Sequence, residues 1–147
     1  MKKLTLLLAS SLLLSACTPK SGIEIADAWT RSAAQGGNGA IYFTVINHDD
    51  GEEALIGMTA DFAQAVEIHE SKTVNDVMEM HMLDSVPLPS GERVEFAPGG
   101  LHTMLVNLTR DLEIGETINV TLHFQTHADI PLSLTVQAGP DHNDHDD

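Results

Sequence analysis

Short stretches in which apolar and polar residues alternate dominate this chain, and alternation with a period of two is the mark of a half-buried strand. Ala40 to Asn47 shows it most clearly, with Ile41, Phe43 and Val45 on one face. Ala54 to Met58, Ala65 to His69, Val77 to Leu83, His102 to Leu108, Thr117 to Phe124 and Ile130 to Gln137 read the same way. Turn-forming residues separate them: Asn47-His48-Asp49-Asp50-Gly51, Pro89-Ser90-Gly91, Pro98-Gly99-Gly100 and Glu113-Ile114-Gly115. Ala33 to Gly39 is rich in glycine and reads as a loop. No long helical period and no internal repeat stands out. Many short strands at this spacing predict an all-β sandwich or barrel, built as a single domain.

The two ends break the pattern. Lys2 and Lys3 followed by the apolar run Leu4 to Leu14 read as a secretory leader, too short for a comfortable membrane span. The sequence Leu14-Ser15-Ala16-Cys17 resembles a bacterial lipobox, which implies a signal peptide over residues 1–16 and lipidation of Cys17. Ordinary cleavage fits less well, because it prefers a small residue where Leu14 stands. Several acyl chains on one cysteine give lasting membrane attachment. In the lipoprotein pattern an Asp after the cysteine favours the inner membrane; Thr18 stands there, so the expectation is outer-membrane sorting. Residues 17–22 form the lipidated end and a tether, 23–138 the folded domain, and 139–147 an acidic, histidine-bearing tail with no apolar residue beyond Pro140.

Composition narrows the partners. The 147 residues carry 22 Asp and Glu against seven Lys and Arg, a net charge of −15, and removal of Lys2 and Lys3 makes it −17. Such a surface repels phosphate backbones, so nucleic acid is a poor partner and none is expected. Aromatics make up only 4%, so the core must be built mainly from Val, Ile, Leu and Ala. Cys17 is the only cysteine, which leaves the domain without a disulfide and without a thiolate for a metal.

The candidate chemistry lies between His69 and Met104. On a strand, residues two apart share a face, so His102 and Met104 can grip one ion while Thr103 and Leu105 face the other way. Met78, Met80 and Met82 likewise share a face, with Glu79 and His81 opposite. Two strands and a loop suffice to bring His69 and Met80 beside the His-x-Met pair. Two thioethers and two imidazoles are soft to borderline, neutral donors, a set that suits copper(I) better than copper(II) or zinc. A blue-copper electron carrier needs a Cys thiolate, which the domain lacks. In an oxidising compartment thioethers also avoid disulfide formation, although sulfoxide formation remains a hazard.

Other candidates read more plainly. Met58, Met78 and Met82 are expected in the core and His48 and His81 on the surface, while His123 and His127 read as surface histidines with ordinary partners in preference to a second weak metal site. His142 and His145 sit among aspartates in the tail. They are either part of a solvated charged segment or a secondary site for a divalent ion such as copper(II). There is no His-Glu-x-x-His, no nucleophile elbow and no Cys-x-x-Cys, so the chain reads as a binding protein rather than an enzyme.

The four residues His69, Met80, His102 and Met104 stand at the spacing H-x10-M-x21-H-x-M. That pattern resembles the signature of the periplasmic copper chaperones of the PCuAC type. Ala26-Asp27-Ala28-Trp29-Thr30-Arg31, Asn38-Gly39-Ala40-Ile41-Tyr42-Phe43, Val66-Glu67-Ile68-His69-Glu70, Val77-Met78-Glu79-Met80 and Pro98-Gly99-Gly100-Leu101-His102-Thr103-Met104-Leu105 are similar to blocks of that family, as is the stretch from Gly115 to Phe124. The resemblance runs from about Ile23 to Val136. It implies a cupredoxin-like, Greek-key β-sandwich and copper(I) held by His69, Met80, His102 and Met104. It also implies delivery toward the binuclear copper site of cytochrome c oxidase, beside a Sco-type partner. Copper scavenging or resistance without a role in oxidase assembly is the alternative within the same binding chemistry.

Overall fold

A computed structural model describes residues 21–138, and the fold is all-β among them. Ten strands follow one another: β1 (Ile23–Arg31), β2 (Gly39–Asn47), β3 (Glu53–Thr59), β4 (Ala63–Val74), β5 (Val77–Leu83), β6 (Val86–Leu88), β7 (Arg93–Phe96), β8 (Leu101–Leu108), β9 (Thr117–Phe124) and β10 (Ile130–Gln137). They hydrogen-bond in the order β5-β4-β8-β2-β1-β10-β9-β3-β6, and β7 pairs with β2 beyond the reach of β8. Five of the eight adjacent pairs in that order join strands that are not consecutive in the chain, which is the crossing connectivity of a Greek-key sandwich. Among the described strands only β1 and β10 run parallel, pairing Trp29 to Arg31 with Thr135 to Gln137.

Alternation builds the core. On β2, Ile41, Phe43 and Val45 are buried, and on β9 so are Ile118, Val120, Leu122 and Phe124. Phe43 stacks on Phe96 of β7 with ring centroids 4.3 Å apart. Leu105, Leu108, Leu134 and Val136 complete the apolar interior with Leu55, Met58 and Leu88. Away from the candidate site, the Glu53 carboxylate ties the start of β3 to the turn after β9, accepting from the Thr126 N–H and hydroxyl and from the His127 N–H at 2.7 Å. Its partial burial pushes the pKa up, but bonds from the Thr126 hydroxyl and the Ala54, Thr126 and His127 N–H groups outweigh that and hold it at about 2.

Several elements differ from the alternation reading. β4 does not stop at His69 but runs on to Val74, and it returns as β5 through a two-residue turn. Asn75 and Asp76 both have positive φ, 51° and 64°, the backbone a tight hairpin needs. β1, β6 and β7 lie outside the segments marked by alternation alone. Met58 is buried, as expected, but Met78 and Met82 are not core residues: they are 68% and 63% exposed on the outer strand β5. The core already has its methionine, and β5 pairs with β4 alone, so its outer face has nothing to pack against. The leader, Cys17 and the tail histidines His142 and His145 lie outside the described residues.

Candidate metal centre

Three adjacent strands carry the residues singled out above. In the antiparallel β4–β8 ladder His69 stands directly opposite His102, so both imidazoles project from the same face. Their ring centroids are 5.8 Å apart, with planes inclined by 27°. Met104 lies two residues along β8 on that face, opposite Glu67 of β4 and Ala40 of β2. Met80 lies on β5 opposite Ser71, one step along from His69. The other face of the same ladder carries Ile68, Thr103 and Leu105, all buried.

Hydrogen bonds set the state of each ring. His102 Nδ1 is 3.1 Å from the Gly100 carbonyl oxygen, which can only accept. The proton therefore sits on Nδ1, and the lone pair is presented at Nε2. His69 Nε2 is 2.8 Å from a Glu67 carboxylate oxygen, so in the neutral ring it donates there. The lone pair is then on Nδ1, an atom that is buried and has no hydrogen-bond partner. A buried acceptor without a partner is costly, and a metal ion is one way to satisfy it. Each imidazole thus has one nitrogen occupied by a carbonyl or carboxylate and the other nitrogen able to bind, the arrangement usual for metal-binding histidines.

Met80, His102 and Met104 line a groove of about 450 Å³ together with Tyr42, Ser71 and Met78. Met80 is 51% exposed, whereas His102 is 7% exposed. Among the described residues no group of three or more His, Cys, Asp or Glu side chains is placed to hold an ion. On this face the two imidazoles are accompanied by the thioethers of Met80 and Met104. The remaining histidines have ordinary partners: His48 meets Glu24, His123 meets Asp129 and Thr59, and His127 meets the Ala128 carbonyl. His81 is exposed on the opposite face of β5. Glu67 was not singled out in the sequence, although its place two residues before His69 on a strand was the available signal.

With this geometry in view, the comparisons with known proteins are decisive on family. The model described as "Putative lipoprotein LpqE-like" matches residues 23–136. The chain belongs to the LpqE-like family. Among its relatives is "Putative lipoprotein Lxx21020" of Leifsonia xyli subsp. xyli, 33% identical over 127 residues that span 84% of this chain and 76% of the relative. The LpqE-like domain also superposes on the copper-bound PCuAC domain from PmoF2 with a TM-score of 0.68 and 27% identity, covering 81% of this chain and 95% of that one. The solution structure of CuI-DR1885 from Deinococcus radiodurans matches with a TM-score of 0.58 over 86% of this chain and 83% of that one; at 22% identity it bears on the fold alone. The architecture is the cupredoxin-like β-sandwich of PCuAC domains.

Proposed function

We propose that this LpqE-like protein is a copper chaperone of the bacterial cell envelope, holding copper(I) through His69, Met80, His102 and Met104. The observation that carries the reading is the cross-strand pair His69–His102. Each ring offers one lone pair, and Met80 and Met104 share its face. The similarity to a copper-bound PCuAC domain supports the choice of ion. Four neutral donors add no negative charge, so a monovalent ion is favoured over a divalent one. The copper is cargo. An exposed thioether such as Met80 leaves first, an acceptor's thiolate takes the open position, and the ion passes on stepwise.

The protein is anchored by lipid at Cys17, facing the periplasm, on the outer membrane in preference to the inner. Its acceptor is the binuclear copper site of cytochrome c oxidase or a Sco-type protein serving it. His142 and His145 supply a weaker secondary site for divalent ions. Copper(I) titration against a competing chelator tests the core of this reading. One tight equivalent is expected, with severe loss in His102→Ala and in Met104→Ala; unchanged affinity in both variants would reject the site. Deletion of the protein separates delivery from scavenging. Loss of copper from the oxidase supports delivery, whereas copper sensitivity with normal oxidase assembly assigns scavenging.

A further inference from the structure

The four-ligand centre uses one methionine of β5, yet the strand presents three on that face. Met78, Met80 and Met82 are 68%, 51% and 63% exposed. The β-register gives each a different relation to the imidazoles. Met82 is directly opposite His69, and His69 is directly opposite His102, so these three form one row across β5, β4 and β8. Met80 is opposite Ser71, one step nearer the hairpin tip, and Met78 is opposite Thr73, one step further. Directly opposed Cβ atoms lie about 4.5–5.5 Å apart and diagonal neighbours about 7–8 Å, both within reach of a long side chain. Met82 is therefore nearer to His69 in register than Met80 is.

The two thioethers also open onto different surroundings. Met80 lines the groove that holds His102 and Met104. Met82 lines a separate groove of about 200 Å³ with Glu67, Asp84 and the apolar Ile56, Val66 and Leu83. Glu67 of this groove is the residue whose carboxylate accepts from His69 Nε2, so the groove adjoins the candidate site.

We propose that Met82 is a second thioether ligand, exchangeable with Met80, that lets copper(I) on the His69–His102 pair move from the groove lined by Met80 to the groove lined by Met82. This inference rests on the copper(I) reading above. In the exchange the Met82 sulfur bonds to the ion and the bond to the Met80 sulfur breaks. Copper stays monovalent and both donors are neutral, so no proton or electron moves. Met80 and Met82 are exposed, so neither substitution by Leu should disturb folding.

The test uses the full chain with Met80→Leu, Met82→Leu and both together. A chromogenic copper(I) chelator reports affinity and release rate, and X-ray absorption counts sulfur neighbours. Met80→Leu should keep two sulfur neighbours and lose no more than about tenfold in affinity, with the double variant about 10–100-fold weaker still. Met82→Leu should hold copper as the parent does but release it to the chelator about tenfold more slowly. A single sulfur neighbour in Met80→Leu, with the affinity of the double variant, would overturn the proposal. His102→Ala distinguishes the two levels: if it still binds copper tightly, the site itself is wrong; if it does not, a silent Met82 defeats this inference alone.

Discussion

The two faces of the β4–β8 ladder share every backbone hydrogen bond and differ completely in chemistry. On the inner face Ile68 and Leu105 are 4% and 0% exposed and belong to the apolar core. On the outer face the same strands present His69, His102, Met104 and Glu67. Residues of one face are interleaved one by one with residues of the other. The apolar core and the proposed copper ligands therefore alternate along the same strands without competing for positions, because a strand sends successive side chains to opposite sides. A helix would have spread a His-x-Met pair around its circumference. The lesson is that one face of a strand pair can gather candidate donors while the other face builds the core.

That contrast can be broken from either side. The largest effect is expected from His102→Ala combined with Met104→Leu. Copper(I) affinity should fall by more than about a hundredfold, since loss of outer partners alone typically costs about 10–100-fold. The chain should remain folded by circular dichroism. One step along β8, Leu105→Ala should do the reverse, costing about 2–5 kcal/mol in denaturant unfolding while the folded fraction still binds one copper. Glu67→Ala sits between the two. It frees the His69 ring from its carboxylate, so copper affinity should fall by about tenfold with little change in unfolding midpoint.

The smallest effect is expected far from the site, at Glu53. Its folded pKa of about 2 lies below the ordinary 4.5, so the folded state favours the charged form. The stabilisation is present above pH 4.5 and is lost as pH falls toward 2. Glu53→Gln should lower stability at neutral pH and flatten the unfolding curve across that acid window. Copper affinity should not change, which would separate the fold's own pH dependence from the metal's.

How much was legible beforehand follows the alternation. β2, β8, β9 and β10 were readable because one face of each is apolar and buried. β1 hides because a bulge between Ala26 and Trp29, with Asp27 at φ 54°, reverses its parity: Ile23 and Ile25 share a face, but Thr30 is the buried residue beyond the bulge. The second half of β4 hides because Glu70-Ser71-Lys72-Thr73 is polar on both faces, and only Asn75-Asp76 marked the turn. β6 and β7 are three and four residues long, too short to show a period. At the candidate site, spacing singled out His69, Met80, His102 and Met104 but could not show which strands lie side by side. That Met82 rather than Met80 stands across from His69 is a property of register, and so is the pairing of Glu67 with the His69 ring.

The proposed centre requires soft sulfur and imidazole nitrogen to meet at one ion. X-ray absorption at the copper edge of the copper(I)-loaded chain examines that directly. Two sulfur and two imidazole nitrogen neighbours are the predicted shell; a shell of nitrogen and oxygen alone, with no sulfur, would contradict it.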